Sequence, residues 1–230
     1  IFDNDPQYPF GIDLSENLAV IDYGDCLLDY GNHWKTPSAI EKQAAKILKS
    51  GAFLYSLGGD HFVTWPLLKA HAAVHGPMAL VHFDAHQDTW FDDGKRIDHG
   101  SFVARAAREG IIDTKRSIQI GIRTDAPETF GIRIVPGYEV EELSTTQIAD
   151  MILKHVGNAK TYLTFDIDCL DPAFAPGVSH QEPGGLSTRE VIHLIQSLPG
   201  PFVGADVVEY NPRCDLGGAT ARVAAKLVKE

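Results

Sequence analysis

Short apolar runs alternate with longer segments of helical periodicity along most of this chain. Each run holds five to seven residues and is rich in valine, isoleucine, leucine or phenylalanine. Continuous runs of this kind are typical of strands that are buried on both faces of a sheet. We predict strands at residues 18–23, 53–57, 78–83, 117–122, 161–165 and 202–208.

The segments between these runs carry the signals of helices. Helices are predicted at residues 38–48, 62–75, 101–109, 145–156 and 220–229, and another one opens at Ser187. Thr36 is predicted as the N-cap of the first helix, with Pro37 in its first turn. Ser187 and Glu190 have the spacing of a capping box. Alternating strands and helices predict βαβ units, hence a three-layer α/β/α fold with a mostly parallel sheet and one domain over residues 1–230.

Three polar residues follow the run at residues 78–83 at intervals of two. These are Asp84, His86 and Asp88. Successive side chains of an extended backbone point to opposite faces, so all three are predicted to project to one side. Two carboxylates and an imidazole at a strand end can hold a divalent cation. The alternative is a set of turn and helix-capping residues.

Further polar residues follow three other predicted strands. His61 comes after residues 53–57, Asp166 and Asp168 after 161–165, and Glu209 after 202–208. Ligands of open α/β sheets bind beyond the carboxyl ends of the strands, so these side chains are expected to meet there. The combined set is rich in oxygen and fits a pair of Mn²⁺-like ions, bridged by carboxylates and a water of lowered pKa. Helix capping remains the alternative for each aspartate taken singly.

Composition narrows the possible partners. A formal net charge of −11 and a pI near 5.3 argue against a surface that binds nucleic acid. No apolar run approaches the roughly 20 residues that a membrane-spanning helix needs. The three cysteines form no CxxC pair and no signal peptide is visible, so a reducing, cytoplasmic location is expected. The chain begins with Ile1 rather than Met, which suggests a missing upstream segment.

Four motifs carry a resemblance to a known family. The motifs are Gly58-Gly59-Asp60-His61, Asp84-Ala85-His86-Gln87-Asp88, the run from Asp166 to Pro172 and the run from Val208 to Pro212. Together they resemble the ureohydrolase family of arginases and agmatinases, and most of all its bacterial agmatinases. The resemblance extends over nearly the whole chain. It implies an arginase-like fold, from which the first strand and helix of the family are missing before Ile1.

The resemblance also implies a metal-dependent reaction with two Mn²⁺ ions in each subunit. Asp84 and Asp168 are the expected bridging ligands, and Asp88 is expected beside the attacking hydroxide. Glu209 matches a carboxylate that binds the guanidinium group, and His99 matches a histidine that shuttles protons. The implied metal ligands are His61, Asp84, His86, Asp88, Asp166 and Asp168.

The implied activity is the hydrolysis of a guanidino compound, in the first place of agmatine to putrescine and urea. Residues 178–181 depart from the family pattern in a loop that lines the substrate's tail, so other substrates stay open: guanidinobutyrate, guanidinopropionate, proclavaminate, arginine or formiminoglutamate. A catalytically silent metal-binding subunit is a third hypothesis. The implied partners are a small cationic guanidino substrate and copies of the chain in a trimer or hexamer, with no nucleic acid and no membrane.

Four more residues receive interpretations of their own. His82 lies a full pleat back from Asp84 inside its strand and is predicted to be a buried core histidine. Asp60 fits a partner of a metal ligand or a helix cap equally well. Arg123, at a strand end, is expected to be structural, and His180, in the altered loop, is a candidate for contact with the substrate's tail.

Overall fold

A six-stranded parallel sheet forms the middle layer of the molecule. The computed structural model describes residues 6–198, 200 and 202–230, apart from the side chain of Ser15. The strands are β1 (Leu54–Leu57), β2 (Ala79–Phe83), β3 (Ile118–Ile122), β4 (Arg133–Pro136), β5 (Thr161–Asp166) and β6 (Phe202–Val208). Their order across the sheet is β1-β6-β5-β2-β3-β4. β6, β5, β2 and β3 each pair with a strand on both sides and form the interior of the sheet, whereas β1 and β4 are its edges.

Helices cover both faces of the sheet. They are α1 (Leu14–Asn17), α2 (Thr36–Leu48), α3 (Thr64–His75), α4 (Phe102–Arg108), α5 (Gly137–Glu142), α6 (Thr145–Val156), α7 (Thr188–Gln196) and α8 (Ala219–Lys229). Buried residues of α2, α3 and α4 pack with Leu80 and Tyr162 on one face. Buried residues of α6, α7 and α8 pack with Val81 and Phe165 on the other. The predicted three-layer α/β/α fold is therefore confirmed.

The predicted strand at residues 18–23 is wrong. The chain there forms neither strand nor helix, and Leu18, Val20, Ile21 and Tyr23 are all more than half exposed. An apolar run becomes a strand only where a neighbouring strand takes up its backbone hydrogen bonds and a second layer covers its side chains. In the described part of the chain, no strand pairs with this run.

The sheet gains its sixth strand from β4, an edge strand that the apolar runs do not predict. Only Val135 of its four residues is buried, and it ends in Pro136. Edge strands admit polar residues and proline because one side of their backbone needs no partner in the sheet. An edge strand of this kind therefore cannot be identified from a continuous apolar run.

The structure confirms one of the two predicted helix N-caps and contradicts the other. A 3₁₀ turn, His33–Lys35, runs directly into α2, so Lys35 takes the N-cap position and Thr36 is already helical, with φ −54° and ψ −50°. The prediction of Thr36 as the N-cap is wrong, although Pro37 does lie in the first turn. The capping box of Ser187 and Glu190 at the start of α7 is confirmed. Among the described residues, no helix has both the length and the apolar composition to cross a membrane.

Candidate active site

The predicted site residues gather at the carboxyl ends of four neighbouring strands. β1, β6, β5 and β2 are consecutive in the sheet and parallel, so the chain leaves all four at one edge. His61 opens a 3₁₀ turn after β1, and Glu209 follows β6. Asp166 ends β5, and Asp168 lies in the turn that follows it. Asp84, His86 and Asp88 follow β2, and His99 opens the turn before α4.

His61 lies among three buried carboxylates. Its Nδ1 atom is 3.0 Å from Asp84 Oδ2, 3.1 Å from Asp88 Oδ2 and 3.1 Å from Asp166 Oδ2. All four side chains are 7% exposed or less. The buried Nδ1 atom has no hydrogen-bond partner within the described part of the chain. A bare ring nitrogen that faces three carboxylate oxygens is an arrangement that a divalent cation would satisfy.

His86 forms a second group beside the first. Its Nδ1 atom is 3.1 Å from Asp168 Oδ2 and 3.3 Å from Asp84 Oδ1. Asp168 Oδ1 accepts a hydrogen bond from the Ala85 backbone at 3.1 Å. Asp84 therefore turns one oxygen to each group, the arrangement expected of a bridging ligand. The structure brings all six residues together in a His/Asp cluster that is able to bind metal ions.

The electrostatics of the cluster suit a cation. Burial raises the pKa of both Asp88 and Asp168 to about 6, and the charge of Asp84 adds to the rise. Burial and the charges of Asp168 and Asp84 raise the pKa of Asp166 well above its ordinary value. Carboxylates held this close repel one another, so bound protons or a bound cation must offset the repulsion. The imidazole and carboxylate donors fit Mn²⁺ and related ions.

Two site residues have a backbone conformation that is rare outside glycine. Asp88 has a φ of 52° and Glu209 a φ of 65°, and Phe130 is the third such residue in the described ranges. The Glu209 N–H donates to the Gly59 carbonyl at 2.9 Å. Strained conformations of this kind persist where the surroundings hold them, and they cluster at functional sites.

Glu209 and His99 form an ion pair next to the cluster. Glu209 Oε1 accepts a hydrogen bond from the His61 backbone at 2.7 Å and lies 2.9 Å from His99 Nδ1. The bond to Glu209 raises the pKa of His99 to about 9, although burial opposes the rise. Burial favours the neutral form of Glu209, but His99 and the His61 amide outweigh burial and lower its pKa. Both groups are therefore charged near neutral pH.

The altered loop at residues 178–181 lies next to His99 and His86. The ring centroid of His180 lies 4.9 Å from that of His99 and 6.2 Å from that of His86. The loop is held by a hydrogen bond from Asn211 Nδ2 to Ser179 Oγ at 2.9 Å, and Gln181 Nε2 donates to the carbonyl of Pro176, just before the loop, at 2.8 Å. His180 itself is exposed. It therefore stands at the open side of the site.

Arg123 links the residue directly after this loop to the backbone of the cluster. Its guanidinium donates to the carbonyl of Glu182 at 2.7 Å, to that of Asp168 at 2.9 Å and to that of Cys169 at 3.2 Å. These contacts agree with a structural role, because they tie the loop to the backbone that carries Asp168.

Sequence reasoning missed the contacts behind the ligands. His82 is fully buried as predicted, but its Nε2 atom also lies 2.6 Å from Asp84 Oδ2. Thr164 and Asp206 were not singled out. A carboxylate inside an apolar strand run, such as Asp206 in β6, is a signal that could have found them, because a buried charge needs partners. Asp60 caps the turn His61–Val63 by accepting from the Phe62 N–H at 3.0 Å, one of its two expected roles.

Comparisons with known proteins agree with this geometry. A family model described as "Arginase family" matches residues 3–230. The agmatinase of Chromobacterium violaceum is 45% identical over 223 residues, which are 96% of this chain and 69% of that protein. A solved structure, described as a hypothetical agmatinase from Burkholderia thailandensis, superposes with a TM-score of 0.94 at 45% identity and covers 96% of this chain and 71% of its own.

A third relative has another substrate in its name. The structure of the proclavaminate amidino hydrolase from Streptomyces clavuligerus superposes with a TM-score of 0.92 at 34% identity. The match covers 98% of this chain and 78% of that one. The family model matches nearly the whole chain, and the relatives are similar to it in both sequence and fold. The chain belongs to the arginase family.

Proposed function

We propose that this protein hydrolyses agmatine to putrescine and urea, with two bound Mn²⁺ ions. The observation that carries the proposal is the buried His/Asp cluster with the Glu209 carboxylate at its side. Relatives named agmatinase, 43–45% identical over most of the chain, support agmatine as the substrate.

The six clustered side chains are the proposed metal ligands. His61, Asp88 and Asp166 would hold one ion, His86 and Asp168 the other, with Asp84 shared between them. The family resemblance also implies a bridging role for Asp168, but its Oδ2 lies beside His86 and its Oδ1 accepts from the Ala85 amide, so we propose it for the second ion alone. Bound divalent cations supply a water whose pKa is lowered towards neutrality. The four carboxylates balance the charge of two such ions, so a cationic substrate can approach with less repulsion.

Glu209 is proposed to bind the guanidinium group. A carboxylate can accept two parallel hydrogen bonds from this planar cation. In the structure one Glu209 oxygen lies beside His99 Nδ1. Substrate binding would therefore exchange the His99 contact for a guanidinium N–H and release the imidazole together with its proton.

His99 is proposed to give that proton to the leaving amine. While His99 faces Glu209, its pKa of about 9 keeps the imidazole charged at neutral pH. Loss of this contact would lower the pKa of His99 and favour transfer of the proton. Asp88 is proposed to accept a proton from the attacking water, because its carboxylate belongs to the same cluster. The new bond joins the water oxygen to the guanidinium carbon. The bond from that carbon to the alkyl-bearing nitrogen breaks after His99 protonates the nitrogen. The proton of the new hydroxyl group passes to the freed amine as the C=O bond forms, so urea and a protonated amine are the products. The proton held by Asp88 returns to His99.

A second candidate is the hydrolysis of a guanidino compound with a carboxylate tail, such as guanidinobutyrate. The observation that favours it is His180 at the open side of the site, beside His99. The His180 imidazole can donate a hydrogen bond to a carboxylate tail, whereas the ammonium group of agmatine cannot accept one. The similarity to a proclavaminate amidino hydrolase at 34% identity points in the same direction.

Urea release from a panel of guanidino compounds separates the candidates. Full-length protein loaded with Mn²⁺ is tested on agmatine, arginine, guanidinobutyrate, guanidinopropionate and proclavaminate. We expect the highest kcat/KM with agmatine. A preference for guanidinobutyrate would favour the second candidate, and the absence of urea from every compound would refute an enzymatic function.

Glu209→Gln tests the proposed binding of the guanidinium group. The variant keeps the shape but loses the charge, so we expect kcat/KM for agmatine to fall roughly 10- to 100-fold or more. Mn²⁺ content should stay unchanged, because Glu209 is not a proposed ligand. Glu141→Gln, an exposed acid on α5, is the matched control and should retain full activity. Equal activity in both variants would contradict the role of Glu209.

A further inference from the structure

A row of polar side chains crosses the sheet directly behind the metal cluster. The strand register places Asp206 of β6 beside Thr164 of β5, Thr164 beside His82 of β2, and His82 beside Gln119 of β3. All four side chains are fully buried. Polar groups in a dry layer are costly unless they find hydrogen-bond partners, so the partners of this polar row define its role.

Asp206 is the acceptor at one end of the polar row. Its carboxylate accepts hydrogen bonds from Thr164 Oγ1 at 2.5 Å, from Thr64 Oγ1 at 2.9 Å and from the Tyr162 hydroxyl at 2.9 Å. Burial raises the pKa of Asp206, and the charge of His61 and the three hydroxyl donors oppose that rise. Three hydroxyl groups thus turn their protons towards one carboxylate.

Thr164 passes this orientation on to His61. Its Oγ1 atom lies 2.9 Å from His61 Nε2. A hydroxyl group has a single proton, and Thr164 donates it to Asp206. The hydroxyl oxygen can therefore only accept from the imidazole, so the ring proton sits on Nε2. The lone pair of Nδ1 is then left to face the three carboxylates of the cluster.

At the other end of the polar row, Gln119 and His82 hold Asp84 through hydrogen bonds. Gln119 Nε2 lies 2.7 Å from His82 Nδ1 and donates to it. The proton of His82 is then on Nε2, from which it is donated to Asp84 Oδ2 at 2.6 Å. One imidazole and one carboxylate of the cluster are thus held from behind by side chains of neighbouring strands.

We propose that Asp206 and Thr164 are positioning residues, which keep His61 in the tautomer that binds a metal ion through Nδ1. The inference rests on the proposed metal site but not on the identity of the substrate. Neither residue is a proposed metal ligand, and both act only through His61. Loss of such outer hydrogen-bond partners typically weakens metal binding about 10- to 100-fold.

Thr164→Val and Thr64→Val form a matched pair for the test. Both threonines are fully buried and donate to Asp206, but the bond to His61 is made by Thr164. The dissociation constant of Mn²⁺ is measured by calorimetric titration of the full-length metal-free protein, with thermal unfolding as a parallel readout. We expect Thr164→Val to weaken Mn²⁺ binding about 10- to 100-fold and Thr64→Val less than about 3-fold. Both should lower the melting temperature to a similar degree.

Two further variants keep the test decisive if Thr164→Val does not fold. Thr164→Ser retains the hydroxyl and should bind Mn²⁺ within about 3-fold of the unaltered protein. Asp206→Asn introduces an amide that can donate to Thr164, which frees the threonine proton for His61 Nε2 and disfavours the binding tautomer. We expect this variant to bind Mn²⁺ as weakly as Thr164→Val.

Two sets of results would overturn the proposal. One is unchanged Mn²⁺ affinity in Thr164→Val or Asp206→Asn, and the other is equal weakening by the two valine variants, which would mean a general structural role. A failure of the unaltered protein to bind Mn²⁺ would instead refute the metal site itself, so the two failures are distinguishable.

Discussion

Asp84 joins the two halves of the cluster through its two oxygen atoms. Oδ2 lies near His61 and His82, while Oδ1 lies near the His86 ring and accepts from the His86 backbone at 2.6 Å. Burial raises the pKa of Asp84, but the surrounding histidines outweigh burial and lower it well below its ordinary value. At this scale the cluster behaves as one unit, so the loss of one ligand should reduce metal binding and turnover together.

Asp168→Ala tests this expectation at the second group. The substitution removes the oxygen that lies 3.1 Å from His86 Nδ1. We expect turnover to be abolished and the Mn²⁺ content, measured by atomic absorption, to fall below that of the unaltered protein. Asp150→Ala on the exposed side of α6 is the control and should change neither quantity. Full activity in Asp168→Ala would contradict its assignment as a ligand.

His99→Ala should reveal the ion pair with Glu209 through the pH dependence of stability. The folded-state pKa of His99 is raised to about 9 from an ordinary 6.5. Its contribution is therefore fully present below pH 6.5 and is lost as the pH rises through about 9. His99 is 38% exposed, so screening by solvent limits the effect to about 0.5–1 kcal/mol.

The measurement for His99 is the free energy of unfolding of the metal-free protein between pH 6 and pH 10, about the range of this titration. The difference between the unaltered protein and His99→Ala should shrink as the pH rises. His33→Ala, at another exposed histidine, is the control. A difference that stays constant across the range would show that the pair does not form.

At the scale of elements, the ends of the strands were the most predictable part of the site. The runs at 78–83, 161–165 and 202–208 could be recognised because buried strands leave continuous apolar sequence. Polar residues directly after them had to lie at the carboxyl edge, whatever the order of the strands. Asp166 and Glu209 could thus be assigned to one site with Asp84 from the amino-acid sequence alone.

Pairing between elements could not be predicted in the same way. Residues 18–23 have the composition of a strand but no pairing partner in the described chain, whereas β4 pairs with β3 despite its partly polar sequence. The polar row was also hidden, because the adjacency of Asp206, Thr164 and His82 depends on strand register. Register is a property of two strands together, and neither sequence contains it alone.

The capping box of α7 yields a prediction confined to one element. The Ser187 hydroxyl accepts from the Glu190 N–H at 3.3 Å, and the Glu190 side chain accepts from the Ser187 N–H at 2.7 Å. Ser187→Ala should cost about 1 kcal/mol of the free energy of unfolding and leave kcat/KM unchanged, because α7 carries none of the proposed site residues. Denaturant titration measures the loss.

The control for this prediction is Ser187→Asp, which keeps a capping oxygen and should retain the stability of the unaltered protein. Ser144 opens α6 with a second capping box, so Ser144→Ala should give a loss of similar size. A fall in activity with no change in stability would show that α7 takes part in the site in a way that the contacts do not indicate.

At the scale of the whole molecule, the metal cluster concentrates negative charge inside an acidic protein. The chain carries a net charge of −11, and four of its carboxylates converge at one sheet edge. Binding of cations should therefore stabilise the fold as well as complete the site. Assembly into a trimer or hexamer and a cytoplasmic location stay predictions from the sequence.

The melting temperature should rise when Mn²⁺ is added to metal-free protein. A ligand at 100 times its dissociation constant stabilises by about 2.7 kcal/mol, which corresponds to roughly 5–10 °C for a protein of this size. Scanning calorimetry measures the shift. In Asp168→Ala the rise should be smaller at the same Mn²⁺ concentration. A melting temperature that does not respond to Mn²⁺ would contradict the metal site.

The most direct test of the proposed function is the identity and ratio of the products from agmatine. Full-length protein loaded with Mn²⁺ is incubated with agmatine, and urea, putrescine and ammonia are quantified over time. Attack on the guanidinium carbon with loss of the alkyl amine predicts urea and putrescine in equal amounts and no ammonia. Release of ammonia without urea, or no product from metal-loaded protein, would contradict the proposal that this site hydrolyses agmatine to putrescine and urea.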